Sequence, residues 1–366
     1  MSKRALRFDK PLAILITLLV TVGLVVFASA MFGPLARGAT NVSSIASKHL
    51  ILGVGAGLVA LLLASFVNYR TWRRFAPHIF ILSLIATALV FVPFLGFEHG
   101  GGRRWIALAN LTFQPSEALK IATVIMAAAY FSAVRPHIEQ FRYGLGGLLV
   151  ILAAPTALLI LQPDLGTLGV IVLSTLSIFL AAGARFRDLA IVVLTGVIMI
   201  TLLASVMPHV RDRVTTFLDP AHAPQGEGYQ IRQSLIAIGS GGFTGRGFGQ
   251  SVQKFTYLPE PMGDSIFAIA GEEFGFIGGV SIVGLFLAFA LRSLAIASRA
   301  ADSFGGLLAI GIASYLSIEA FINIASMLGL APLTGIPLTF ISQGGSAMLV
   351  SLFSAGVLLN ISKYAR

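Results

Sequence analysis

The chain has 366 residues, of which 56% are hydrophobic and 11% charged, with 25 lysines and arginines against 15 acids and no cysteine. A soluble domain carries roughly 25% charged residues, so the apolar excess calls for a bilayer as solvent. The lack of cysteine excludes disulfide-stapled loops, thiolate metal sites and cysteine nucleophiles. The histidines (His49, His78, His99, His137, His209 and His222) are scattered without metal-ligand spacing. No basic stripe with interleaved aromatics suits nucleic acid, and nothing in the pattern calls for a nucleotide, haem or zinc.

Without water to satisfy backbone groups, only helices or closed barrels span a membrane, and non-alternating apolar runs of ~18–25 residues favour helices. The sequence therefore predicts an all-α polytopic membrane protein of about ten transmembrane helices, at 12–32, 49–68, 76–96, 116–134, 145–162, 164–183, 189–207, 265–291, 304–329 and 344–361. The first helix ends on Ala28-Ser29-Ala30, which resembles a cleavage site. Its apolar stretch exceeds the ~7–15 residues of a signal peptide, so it is read as retained. Lys3, Arg4, Arg7, Lys10, Arg70, Arg73, Arg74, Arg135, Arg142, Arg185, Arg187, Arg292, Arg299, Lys363 and Arg366 fall on one side, 15 in all, against 4 (Arg37, Lys48, Arg103, Arg104) in short loops opposite. The side richer in arginine and lysine is cytoplasmic. This places both termini on the cytoplasmic side. The chain 1–366 then forms a single transmembrane domain, with one large extracytoplasmic loop, 208–264, between helices seven and eight.

Arg103-Arg104-Trp105 precedes the fourth helix, where arginines either anchor the helix beside an interfacial tryptophan or bind an anionic head group. Within that helix Glu117 and Lys120 are three residues apart on one face, in the order that favours an ion pair. Asp164 follows Gln162-Pro163 at the turn between helices five and six, as a cap or a cavity residue. The long loop carries Arg211, Arg213, Arg232, Arg246 and Lys254, and a run from Gly239 to Gly249 that lacks the lysine and hydroxyl ending of a phosphate loop. That run reads as tight, adaptable backbone. Asp264 opens the eighth helix, either capping its first amides or standing at the membrane surface as a proton acceptor. Glu272 and Glu273, adjacent and about two turns on, cannot share a face: one should pair within the bundle while the other faces a cavity. Glu319 lies inside the ninth helix, and a charge there needs a partner or a wet cavity. Finally, the stretch 332–345 is apolar yet rich in helix breakers, as a re-entrant or cavity-lining segment would be.

Taken together, Gly102-Arg-Arg-Trp105, Phe113-Gln-Pro-Ser-Glu-Ala-Leu-Lys120, Gln162-Pro-Asp-Leu-Gly-Thr167, Tyr257-Leu-Pro-Glu-Pro-Met-Gly-Asp264, Gly271-Glu-Glu273 and Thr334-Gly-Ile-Pro-Leu-Thr-Phe-Ile-Ser-Gln-Gly-Gly345 resemble the SEDS family of bacterial cell-wall proteins (FtsW, RodA, SpoVE). The resemblance runs in family order and is nearer to FtsW and SpoVE. It implies a peptidoglycan glycosyltransferase that polymerises lipid II outside the cytoplasmic membrane in division or cell-shape maintenance. It also implies a class B penicillin-binding protein and other division or elongation proteins as partners. Motif matching sets the family's essential loop aspartate on Asp264, and Glu117, Lys120 and Asp164 on cavity positions. Two departures stand out. Met262-Gly263-Asp264 replaces the usual His-Thr-Asp or Gln-Thr-Asp, and Ser342-Gln343-Gly344-Gly345 replaces Ser-Tyr-Gly-Gly.

On this reading Asp264 is the general base. Arg103, Arg104, Arg232 and Arg246, or a divalent cation (Mg2+ or Mn2+), stabilise the leaving diphosphate. Trp105, Glu272, Ser342 and Gln343 complete the expected cavity. Two other readings remain: a lipid II flippase, which would use the buried charges as a head-group path, and a non-enzymatic division scaffold.

Overall fold

In a computed structural model the described residues are 8–38, 42–99, 102–108, 111–219 and 226–365; Arg366, His222 and the residues before Phe8 lie outside them. The helices are α1 (Lys10–Ala30), α2 (Phe32–Ala36), α3 (Val42–Lys48), α4 (Ala56–Phe66), α5 (Tyr69–Ala88), α6 (Pro115–Val134), α7 (Leu145–Leu161), α8 (Leu165–Ala181), α9 (Phe186–Val206), α10 (Pro208–Leu218), α11 (Glu227–Ser240), α12 (Gln253–Thr256), α13 (Ile266–Ser298), α14 (Ser303–Met327) and α15 (Gly345–Tyr364). A π-helical segment, His49–Gly55, joins α3 to α4. Eight helical stretches are long and apolar enough to cross a membrane, and α7 and α8 are shorter apolar helices. At 17 residues each, α7 and α8 sit at the lower end of the ~17–25 needed. The protein is a multi-pass membrane protein.

The centre of the bundle is α6, α14 and α15, whose small and apolar residues are buried nearly all round. α15 packs along α4, α13 along α14 and α1, and α14 against α6 and α8. α9 is peripheral, with Asp188 as its one buried residue. Close helix approach depends on glycine: a Cβ on Gly356 would stand 2.3 Å from the Leu61 carbonyl oxygen of α4. Gly356→Leu should force α4 and α15 apart, at a cost of about 1–3 kcal/mol. The check is the midpoint of thermal inactivation in detergent, and an unchanged midpoint would contradict this packing account.

The two ends of the bundle segregate as the charge pattern predicts. At one end Asp9 caps α1 and receives two hydrogen bonds from Arg292 (2.9 and 2.5 Å), while its amide donates to Ser362. Arg70 reaches Asp302, and Lys363 donates to the Ser65 carbonyl, at that same end. At the other end Arg37 donates to the carbonyls of Lys254 and Phe255, and Arg104 to those of Gln162 and Pro163.

A sheet departs from the all-helical expectation, and the helices in the loop were not expected. Residues between α5 and α6 form a small antiparallel sheet, β1 (Gly96–His99), β2 (Gly102–Leu108) and β3 (Leu111–Phe113), in the order β1-β2-β3. Among the described residues of 208–264, three helices form, α10, α11 and α12. α11 lies against α13, burying Ile231, Ser234 and Ala237. The sequence signal was weak because each of these pieces is short and half-buried, so its apolar pattern is incomplete.

Candidate functional site

One cavity of about 710 Å3 opens at the end of the bundle that holds Arg104 and the loop. Its walls come from the sheet (Arg104, Trp105, Phe113), the start of α6 (Gln114, Glu117), the turn before α8 (Asp164, Thr167), the helical loop (Arg213, Glu227, Gln230, Glu260, Asp264), the segment before α15 (Gly335, Ile336, Gln343, Gly344), and Lys48 and His49. Each reaches the cavity for a local reason. In the β1–β2 register Phe97 pairs Trp105 and Glu98 pairs Arg103, so Arg104 is the extra residue of a bulge. A bulge turns its side chain out of the strand's alternation, and Arg104 is thereby aimed at the Gln162 and Pro163 carbonyls.

Asp264 is held by its backbone. The carbonyl of Met262 accepts from the Gln343 amide (2.8 Å), that of Gly263 from the Ser342 hydroxyl (2.8 Å), and that of Asp264 from the Asn323 amide group (2.9 Å). Asn323 also donates to the Ile336 carbonyl, and the Thr339 hydroxyl to that of Leu316, which satisfies the irregular segment before α15 inside the protein. That segment is the cavity-lining one expected. At the Gln343 departure the backbone amide and the neighbouring Ser342 hydroxyl hold the aspartate turn, and neither bond needs an aromatic ring.

The capping reading of Asp264 fails. α13 begins at Ile266 with Ser265 in the cap position and no side-chain capping bond. The carboxylate instead faces the cavity, beside Gly335, where a Cβ would sit 3.6 Å from Oδ2. Burial pushes its pKa up from 3.8 to about 6, and Glu260 adds to the rise. Arg213 and Arg104 oppose it.

The second acidic group is deeper. Lys120 Nζ lies 2.8 Å from Glu117 and 2.7 Å from Glu319, all three nearly fully buried. Glu117 lines the cavity with Lys120 behind it. Asp164 is the cap it resembled, accepting from the Thr167 amide at 3.2 Å, and it faces the cavity as well.

Besides Lys120, and Ser342 which holds the Gly263 carbonyl, four more expected cavity residues lie outside the lining. Arg103 points outward, 3.7 Å from Glu98 and more than half exposed, because strand alternation opposes it to its neighbours. Arg232 and Arg246 lie on the loop but do not line the cavity; Arg246 instead lies 3.5 Å from Glu272. Glu272 does not face a cavity either: it is fully buried and accepts from Ser251 and from the Val252 and Gln253 amides. Glu273 is paired as well, with Lys254. Among the described residues no three acidic or histidine groups converge as a metal site. The sequence reading missed Arg213, Glu227, Glu260 and Asn323. Glu260 lay within the motif ending at Asp264, and Asn323 is one helical turn beyond Glu319 on the same face.

Fold and cavity together define a multi-pass membrane protein that presents a half-buried aspartate to a cavity it shares with Arg104 and Arg213, at one end of its bundle. The chain belongs to the FtsW/RodA/SpoVE family, described as cell cycle proteins, whose model matches residues 10–366. It is 39% identical over 361 residues to the stage V sporulation protein E of Bacillus subtilis, covering 98% of each chain. It is 36% identical over 362 residues to a protein of Trichlorobacter lovleyi named "Probable peptidoglycan glycosyltransferase FtsW", covering 98% of this chain and 94% of that one. Among solved structures, a chain of a peptidoglycan synthase complex described as coordinating polymerization and crosslinking superposes with a TM-score of 0.80 at 28% identity, covering 97% of both chains. The rod shape determining protein RodA of Thermus thermophilus gives a TM-score of 0.72 at 26% identity, covering 98% of this chain and 97% of that one.

Proposed function

We propose that this protein is a peptidoglycan glycosyltransferase that polymerises lipid II into glycan strands at the outer face of the bacterial cytoplasmic membrane, in division or cell-shape maintenance. The observation that carries the reading is the Asp264 carboxylate, presented to a cavity by a turn whose carbonyls are clamped, with its pKa raised to about 6. A base of that strength is ionised at neutral pH and still a useful proton acceptor.

In the reaction, Asp264 takes the proton of the acceptor sugar's 4-hydroxyl as that oxygen attacks the anomeric carbon of the lipid-linked donor. The carbon–oxygen bond to the diphosphate breaks, the undecaprenyl diphosphate leaves with the electron pair, and a β-linkage forms. Arg104, and Arg213 in place of Arg103, Arg232 and Arg246, supply the positive charge beside the departing diphosphate. The apolar stretch of wall from Ile45, Leu52 and Ala56 to Leu349 suits a substrate whose tail stays in the bilayer.

The orientation, with both termini cytoplasmic and 208–264 outside, is supported by the basic-residue asymmetry and by the segregation of bundle ends. A class B penicillin-binding protein is the proposed partner. Support comes from the likeness to a chain of a complex that joins polymerization to crosslinking.

The test is to mix the purified full chain, lipid II and the partner transpeptidase, then resolve products on a gel. Glycan strands are expected. Transfer of head groups across vesicles without strands would replace the polymerase reading with a flippase.

A further inference from the structure

The glycine run between Gly239 and Gly249 plays no part in the reaction above, yet it meets α13 at that helix's interruption. α13 breaks at Gly275, which takes φ 65° and ψ −161°. Such a break strands carbonyls before it and amides after it. The run supplies partners for both: the Arg246 amide donates to the Glu272 carbonyl (3.0 Å) and the Gly247 amide to that of Glu273 (2.9 Å). In return the Phe276 amide donates to the Gly242 carbonyl (2.9 Å) and the Ile277 amide to that of Phe243 (3.2 Å). Glycine is required on both sides. A Cβ would come 2.1 Å from the Gly271 carbonyl oxygen at Gly241, 2.1 Å from that of Glu273 at Gly245, and 2.3 Å from the Gly245 nitrogen at Gly275.

The side chains at the break lock the same joint. Glu272 accepts from the Ser251 hydroxyl (2.6 Å) and from the amides of Val252 (3.0 Å) and Gln253 (3.2 Å). Glu273 accepts from Lys254 Nζ (2.5 Å) and from Ser29 of α1 (2.6 Å). Lys254 is fully buried, also donates to Ser29, and sits over the Phe32 and Phe255 rings. Residues 272–273 are therefore tied to the loop and to α1, and Asp264 precedes them on the same segment.

We propose that this splice is a positioning device for the reaction: Lys254, Glu272 and Glu273 set the pose of segment 264–274, and hence where the Asp264 carboxylate points, separately from the membrane half of α13. The inference rests on the polymerase reading. Lys254, Glu272 and Glu273 lie outside the cavity lining, so they act through Asp264 and not on substrate.

The experiment compares full-length Lys254→Met, Lys254→Arg and Glu272→Gln with the parent in strand synthesis, each first checked by gel filtration and thermal melting. Lys254→Met is expected to lower kcat by about tenfold or more with KM within about twofold, since a misaimed base costs rate and leaves binding intact. Its acid-limb midpoint should also move away from about 6. Lys254→Arg keeps the charge and should recover kcat to within about threefold. Should Lys254→Met fail to fold, Glu272→Gln carries the same expectation. Folded variants with the parental kcat and pH midpoint, or with a change in KM alone, would overturn the positioning role. A parent that makes no strands would instead sink the polymerase reading, and an Asp264→Asn variant of full activity would sink the base assignment.

Discussion

Replacing Asp264 with asparagine is expected to lower strand synthesis by about 10²–10⁴-fold, the usual contribution of a general base. The substitution is isosteric, and the hydrogen bonds that fix this turn go to the carbonyls of residues 262, 263 and 264. The turn should survive, so the loss reports on the carboxylate alone. The same group sets the pH dependence. With its pKa lifted to about 6 by burial, and further by Glu260, activity should be flat above about pH 7. Below 6 it should fall by about tenfold per pH unit as the base becomes protonated.

Stability should move the other way. Between the ordinary 3.8 and about 6 the folded chain holds a proton that the unfolded chain has released. Folding stability therefore declines as pH rises through that window, by at most ~3 kcal/mol. Asparagine cannot ionise, so at pH 7.5 the variant should melt no lower than the parent, and higher if the full burial effect is expressed. Full polymerase activity in a folded Asp264→Asn protein would refute the base assignment.

The second large effect concerns Lys120. Its ammonium lies between the Glu117 and Glu319 carboxylates at 2.8 and 2.7 Å with almost no solvent contact. Lys120→Met would leave two acids facing each other inside the bundle. Breaking one side of a buried ion pair costs about 3–5 kcal/mol, and the second acid adds repulsion. The expected result is a lower melting temperature in detergent and reduced accumulation in membranes. Combining Lys120→Met with Glu117→Gln and Glu319→Gln removes the stranded charges and should restore much of the stability, because a neutral polar set is cheaper to bury. Equal melting of the single and triple variants would show that the cluster contributes no net electrostatic stability. Activity adds a second reading: Glu117 lines the cavity, so a triple variant that is stable yet slow would place the acid in substrate binding.

Much of this was legible in the chain itself. Apolar run length placed the membrane helices, because the bilayer admits few alternatives to a helix. The three-residue spacing of Glu117 and Lys120 announced their pair, and the breakers in 332–345 announced an irregular cavity wall. Other features were hidden because the sequence order does not carry them. Arg103 and Arg104 are chemically alike neighbours, and only their places in β2, Arg103 paired with Glu98 and Arg104 at the bulge, send one outward and the other to the cavity. Glu272 looked like a cavity acid, and the break at Gly275 gave it to the loop. Asp264 looked like a helix cap, but the helix starts later and leaves the carboxylate uncommitted.

Composition and spacing by themselves determined the solvent of this protein and the acids worth examining, since these follow from transfer free energies and local periodicity. Which of those acids faces an open cavity, and which arginines stand beside it, depended on contacts between residues tens to hundreds of positions apart, such as Asn323 with Asp264 and Glu319 with Lys120. Such contacts exist only once the helices have packed, and the desolvation that raises the Asp264 pKa exists only then as well.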